Sequence, residues 1–170
     1  GVFAQSTTSL ECDDDTWMTE NTAVWRGGGL CAVGASVSCD GAHFEFGEAN
    51  LGGGIALDDT TLLATNLRVE ANQGYSGGGG IMAEPGSALT LLDASVSFNW
   101  TLDSETLDVD GGGMNLADDV PLTADRLRVA NNSADAAGGG IFGGSDLKIA
   151  NSVITGNVSP LFAGIRTDGV

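Results

Sequence analysis

Residues Asn66 to Ile81 read NLRVEANQGYSGGGGI. The stretch joins two signatures: a polar-x-x-apolar-x-x-Asn segment (Asn66, Val69, Asn72) and a run of glycines closed by an apolar residue (Gly78-Gly79-Gly80-Ile81). Both recur along the chain. The glycine triplet returns as Gly27-Gly28-Gly29-Leu30, Gly52-Gly53-Gly54-Ile55, Gly111-Gly112-Gly113-Met114 and Gly138-Gly139-Gly140-Ile141, with a worn copy at Ala163-Gly164-Ile165. Between the last glycines the steps are 25, 26, 33, 27 and 24 residues. A fixed period of this size is the mark of a solenoid, in which a unit too small to bury its own apolar face buries it against its neighbours.

The second signature returns in the same register, as Asp93-x-x-Val96-x-x-Asn99, Arg126-x-x-Val129-x-x-Asn132 and Asn151-x-x-Ile154-x-x-Asn157. Earlier copies are Asp15-x-x-Met18-x-x-Asn21 and the degenerate Gly41-x-x-Phe44-x-x-Gly47. An alternating apolar pair precedes each: Val37 and Cys39, Leu62 and Ala64, Leu89 and Leu91, Leu122 and Ala124, Leu147 and Ile149. Alternation with period two is the pattern of a strand. Each unit therefore holds three short strands, one after the glycines, one at the apolar pair and one centred on Val69 and its equivalents. The reading is an all-β fold, a single-stranded parallel β-helix, a solenoid of about six coils of about 25 residues with three short strands per coil. Corners between such strands need restricted or left-handed backbone angles, which Gly and Asn tolerate best. Asn72, Asn99, Asn132 and Asn157 are expected to stack as a corner ladder, passing amide hydrogen bonds along the axis. Phe44, Val69, Val96, Val129 and Ile154 form one inward row and Leu30, Ile55, Ile81, Met114 and Ile141 another. At roughly 4.8 Å per strand the rod is about 25 to 30 Å long.

Composition agrees with corners and short strands. Twenty-seven glycines, three prolines and 6% aromatic residues leave little material for amphipathic helices. A net charge of -17, from six basic and twenty-three acidic residues, disfavours nucleic acid and anionic lipid as partners. No run approaches the roughly 20 apolar residues that span a bilayer, so no membrane insertion is expected. The start, Gly1-Val2-Phe3-Ala4-Gln5, fits removal of a leader and fits an excised fragment equally well.

Residues 1–9 read as an N-terminal extension or cap and residues 10–170 as the β-helix, with a loop insertion at 100–110 that accounts for the long step. Asp103, Asp108 and Asp110 in that loop are the candidate ligands for Ca²⁺, the one ion considered; a solvated acidic loop explains the same residues. No other cofactor is expected. His43 is the single histidine, so neither a zinc spacing nor a Ser-His-Asp triad can be assembled around paired or repeated histidines. It is read as a member of an outward row near Glu45 or Arg68. Cys12, Cys31 and Cys39 allow one bridge and one thiol; alternation sets Cys39 inward and brings Cys12 below it, so Cys12 with Cys39 is the first pairing and Cys31 with Cys39 the alternative. Free thiols are the third reading.

The quoted stretch, together with LTLLDASVSFNWTLD and GGGM and with LKIANSVITGN, is similar to the right-handed parallel β-helix repeats of bacterial secreted and outer-membrane proteins. These are the autotransporter passenger domains and polymorphic outer-membrane proteins, whose repeats carry GGxI-type and FxxN-type motifs. The resemblance covers residues 10 to 168 and implies a secreted or cell-surface location. It does not fix function, since such repeats serve adhesins, surface-layer and filament proteins and polysaccharide lyases alike. The chain is shorter than those relatives. Ile165-Arg166-Thr167 reads as the first strand of an unfinished coil, and Val2-Phe3-Ala4 as a segment able to join it from a second copy. The expectation is a non-enzymatic extracellular structural or surface protein, a filament subunit stacking end to end through open solenoid ends. A fragment of a β-helical adhesin or passenger is the alternative, with surface glycans or cell receptors as partners. A Ca-dependent polysaccharide lyase-like enzyme, using Arg68 and Arg128, is a third reading.

Overall fold

The computed structural model describes residues 1–6, 8–102, 110–144 and 146–167. Among them there is no helix, and every paired strand runs parallel to its neighbour one coil away. Sheet 1 stacks Val2–Gln5, Leu30–Val33, Ile55–Asp58, Ile81–Ala83, Met114–Leu116, Ile141–Gly143 and Ile165–Arg166. Sheet 2 stacks Ser9–Cys12, Ser36–Asp40, Thr61–Thr65, Ala88–Leu92, Leu122–Asp125 and Leu147–Ala150. Sheet 3 stacks Trp17–Thr19, His43–Glu45, Arg68–Glu70, Ser95–Ser97, Arg128–Ala130 and Val153–Thr155. The molecule is a β-solenoid of about six turns with three sheets per coil. Seven strands in sheet 1 make a rod of roughly 29 Å.

The rows predicted from alternation are the rows of the structure. Phe44 pairs Val69, Val69 pairs Val96, Val96 pairs Val129 and Val129 pairs Ile154. Leu30, Ile55, Ile81, Met114 and Ile141 stack in the same way, and all are fully buried. With the Leu62, Leu89 and Leu122 row of sheet 2, they form one continuous core along the axis. Two residues placed outward by alternation, Ser97 and Ala130, are buried. Both are short and sit in a row between the longer Glu70 and Thr155, so little of them reaches solvent.

Two features depart from the sequence reading. After the third strand, Glu48–Leu51, Gln73–Gly77 and Trp100–Thr101 form a short fourth sheet, continued by isolated bridges at Ser133, Val158 and Leu161. These segments are polar or glycine-rich and carry no alternation, so backbone pairing alone defines them. The corners are also less selective than expected: Glu20, Phe46, Ala71, Phe98 and Arg126 all take positive φ, near +55°. A left-handed residue costs about 1–2 kcal/mol. The neighbouring coils hold these residues there by accepting their N–H groups, as when Ala71 donates to Ser97 and Phe98 to Ala130.

Candidate functional site

The corner after sheet 3 is built from the asparagines. The side-chain amide of Asn99 donates to the Val69 carbonyl at 2.9 Å and to Asn132 Oδ1 at 3.0 Å, while its own Oδ1 accepts from the backbone and side-chain nitrogens of Asn72, each at 2.9 Å. Asn132 repeats the pattern with Val96 and Asn157. Asn72 and Asn157 end the ladder on the Phe44 and Val129 carbonyls. The glycine triplets are the other half of this corner. A Cβ on Gly113 would stand 2.5 Å from the Gly140 carbonyl and 3.0 Å from the Asn132 amide nitrogen, and one on Gly112 would stand 2.3 Å from the Ser133 carbonyl. Backbone of one coil lies directly against backbone of the next, which leaves space for hydrogen alone.

Among the described residues, the first and last strands of sheet 1 each have a strand neighbour on one side only. Val2–Gln5, read from sequence as part of an extension, is a full member of sheet 1 in register with Leu30–Val33. Val2 and Ser6 donate their backbone N–H groups to this neighbouring coil, so by alternation those of Phe3 and Gln5 point to the open side. Phe3 is 63% exposed and, with Trp25 and Arg26, lines a hollow of about 520 Å³ at this end. At the other end Ile165 and Arg166 pair Ile141 and Phe142, and Thr167 follows them. The guanidinium of Arg166 lies 5.1 Å from the Phe142 ring and 5.5 Å from the Phe162 ring. Here the inward residues Leu147, Ile149 and Ile154 are only partly buried, although the same rows are closed in every inner coil.

The structure holds all three cysteines as thiols. Cys12 and Cys39 are register partners, both inward and buried. Neighbouring parallel strands lie about 4.8 Å apart, within the span of about 4.4–6.8 Å that a disulfide bridges. The hydrogen bond to Cys12, together with burial, pushes the Cys39 thiol well above the usual thiol range. Cys31 sits on the outer row of sheet 1, between Phe3 and Ala56, so the structure does not bring it beside Cys39. Burial raises its thiol, and the charge of Arg26 works against that rise. Arg26 reaches across coils to Asp58 at 2.8 Å and Glu84 at 2.7 Å. Burial raises the Glu84 carboxyl, with Arg26 again opposing.

Of the proposed Ca²⁺ ligands, Asp103 and Asp108 lie outside the described residues. Asp110 is committed locally, its Oδ1 accepting from the Ala137 N–H at 2.9 Å. Among the described residues no group of three or more His, Cys, Asp or Glu could hold a metal ion.

The outer face of sheet 3 carries a largely polar row. Trp17, His43, Arg68, Ser95 and Arg128 stand in one row. The Trp17 and His43 rings stack at 3.9 Å, and His43 Nδ1 lies 3.2 Å from Glu45. A hollow of about 470 Å³ opens beside His43 and one of about 360 Å³ between Arg68 and Arg128; Asn66 and Arg68 line both. Alternation in the sequence already sets His43, Arg68, Ser95 and Arg128 on one outward row, the two arginines two coils apart; the Trp17–His43 stack was not drawn from it, because neither residue repeats at the coil period. Comparison of the chain with protein-family models, curated proteins and solved structures finds no match.

Proposed function

We propose that this chain is a non-enzymatic structural solenoid of an extracellular surface, which associates end to end. The observation that supports the reading is the last described coil, where the Leu147, Ile149 and Ile154 rows are only partly buried and Ile165–Arg166 has a strand neighbour on one side only among the described residues. An unpaired strand edge over an apolar layer is a template for another chain. Val2-Phe3-Ala4 of a second copy suits the edge formed by Ile165-Arg166-Thr167, since it already makes the same pairing with Leu30-Cys31-Ala32. In that register Phe3 of the second copy arrives over Arg166, which then has an aromatic ring on each side along the row, Phe142 and Phe3. A head-to-tail contact of this kind does not close and builds a fibre.

The adhesin or passenger reading shares the same fold and rests on the GGxI-type and FxxN-type repeats, which here fall on the corner that the ladder and glycines build. It differs in needing no contact between copies.

Negative-stain microscopy and light scattering across micromolar concentrations separate the two. Particles lengthening with concentration support end-to-end association. A strictly monomeric sample overturns it. Deleting residues 1–8 removes the joining strand and should abolish the particles. Phe3→Pro is the milder variant, because it removes an N–H on the open side and keeps the pairing with Cys31.

A further inference from the structure

The corner that follows sheet 3 places one residue per coil in a row: Glu20, Phe46, Ala71, Phe98, Asn131 and Gly156. All six take positive φ, and the first five each donate a backbone N–H to the next coil. Glycine and asparagine hold this conformation at least cost, whereas a ring as large as phenylalanine makes it a strained choice. Burial does not offset the strain, since Phe46 is 55% exposed and Phe98 50%. Among the described residues neither ring stacks on another ring or receives a cation. Backbone strain of this kind gathers at ligand clamps and other functional positions.

The two rings frame one place. Ala71 lies in register between them, so two strand spacings set their backbones about 10 Å apart. Carbon contacts of about 3.5–4.0 Å on either side leave room there for a single aliphatic stem over Ala71. Half-buried Trp100 adds a third ring two residues after Phe98, in a row with Glu48 and Gln73. Carboxylates surround the place. Glu20 precedes Phe46 in the corner row, Glu45 and Glu70 pair in register one residue before the corner, and Glu48 lies two residues after Phe46. Glu45 has His43 as a partner at 3.2 Å, whereas Glu20, Glu48 and Glu70 form no ion pair among the described residues. Arg68 and Arg128, on the outer row of sheet 3, stand two residues before Glu70 and Ala130, so carboxylates outnumber arginines around the corner.

We propose that this corner is a docking surface for a cationic segment of a partner protein, one arginine side chain lying over Ala71 between Phe46 and Phe98 with its guanidinium at Glu45 and Glu70. Aromatic faces attract arginine, and carboxylates accept its fork in paired hydrogen bonds. The net charge of -17 draws a cationic partner in from a distance and repels an anionic one. A partner strand would need a free edge, and Arg68–Glu70 and Gln73–Gly77, on the two sides of Ala71, are each paired on both flanks, so recognition runs through side chains. The site lies on the side of the rod and does not depend on contact between its ends.

Calorimetric titration of the full chain with hexa-arginine in about 0.15 M salt, where exposed charges more than about 8 Å apart are largely screened, tests the assignment. The peptide should bind, about tenfold or more weakly in the double variant F46G/F98G, which loses both rings. Glu70→Gln should weaken binding about threefold. Glu11→Gln, the same change of charge on sheet 2, should leave it unchanged. Glycine relieves the left-handed strain, so F46G/F98G should melt no lower than the unaltered chain. A clearly lower melting temperature would assign the rings to the fold and overturn the proposal. So would an absence of binding, undiminished affinity in F46G/F98G, or a loss in Glu11→Gln equal to that in Glu70→Gln, which would make net charge alone the attraction. Cellohexaose, a neutral probe that stacks on rings, should not bind; binding that F46G/F98G removes would give the rings to a sugar and overturn the cationic assignment.

Discussion

At the scale of single residues, the ladder asparagines do the most exacting work. Asn99 is buried, and its amide makes four hydrogen bonds that no other side chain of similar size reproduces. Replacing it with alanine leaves the Asn72 backbone N–H and one N–H of the Asn72 side-chain amide without partners in the interior and takes a donor from the Val69 carbonyl, at about 1–3 kcal/mol for each group left unsatisfied. Asn99→Ala should therefore lower stability by about 3 kcal/mol or more, read as a fall in the urea midpoint. Ser76→Ala, which removes the exposed hydrogen bond to Asn50, should move it by less than about 1 kcal/mol. Equal effects of the two substitutions would show that the ladder carries no special share of the stability. The ladder positions were legible from sequence because one residue type returns at the coil period. The Trp17–His43 stack was not, since neither residue repeats. The pairing of Arg126 with Asp93 and Asp125 is equally particular to one pair of coils.

At the scale of the element, the glycine triplet and the asparagine corner are one device. Strands in all three main sheets could be placed from apolar alternation, because burial against the next coil demands it. The short fourth sheet could not, because Gln73–Gly77 owes its form to backbone pairing against Glu48–Leu51 and shows a register shift that no side-chain pattern announces. The triplet also explains its own decay. The middle glycine is barred from a side chain by the coil that follows: a Cβ on Gly139 would lie 2.4 Å from the Val158 carbonyl and 2.8 Å from the Ala163 carbonyl. Ala163 occupies the equivalent position in the last described coil, where no strand lies above it among the described residues. The third glycines divide in the same way. A Cβ on Gly113 meets backbone at 2.5 Å, whereas one on Gly164 has only Ile154 Cγ2, at an ordinary 3.9 Å. Gly113→Ala should cost several kcal/mol, on the scale of about 1–3 kcal/mol for overpacking plus the loss of ladder geometry it forces. Gly164→Ala should stay within about 0.5 kcal/mol. Thermal melts of the two variants decide this, and a stable Gly113→Ala would mean the coils can part where the structure packs them.

At the scale of the whole molecule, the two ends do not match as a simple continuation. Among the described residues sheet 1 has seven strands and sheets 2 and 3 have six, so Ile165–Arg166 stands one strand beyond the rest of the last described coil. Under the proposed end-to-end association, a second copy would meet this end in one of two ways. Its Val2–Gln5 can pair onto Ile165–Arg166, leaving one strand position unfilled in sheets 2 and 3. Alternatively it can replace Ile165–Arg166, so that sheets 2 and 3 continue without a gap and the second copy's Asn21 extends the ladder above Asn157. The second arrangement buries more apolar surface, but Ala163 opposes it. Its Cβ would meet the backbone of the incoming coil as closely as a Cβ on Gly139 would meet Val158, at about 2.4 Å. In the proposed assembly the overhanging strand and Ala163 together would select the first, weaker joint, held by one short strand pair and the stacking on Arg166. Three chains follow from this. A chain ending at Gly164 loses the overhang and keeps the block, so its particles should disappear. The same truncation with Ala163→Gly removes both obstacles and should restore association, with fibres longer and stable at lower concentration than those of the unaltered chain. Ala163→Gly alone should change little, because Ile165–Arg166 still occupies the place the incoming strand needs. Light scattering and negative-stain length distributions of the three decide between the joints; fibres formed equally well by the truncated chain with and without Ala163→Gly would show that the coil at Ala163 does not govern how the ends meet.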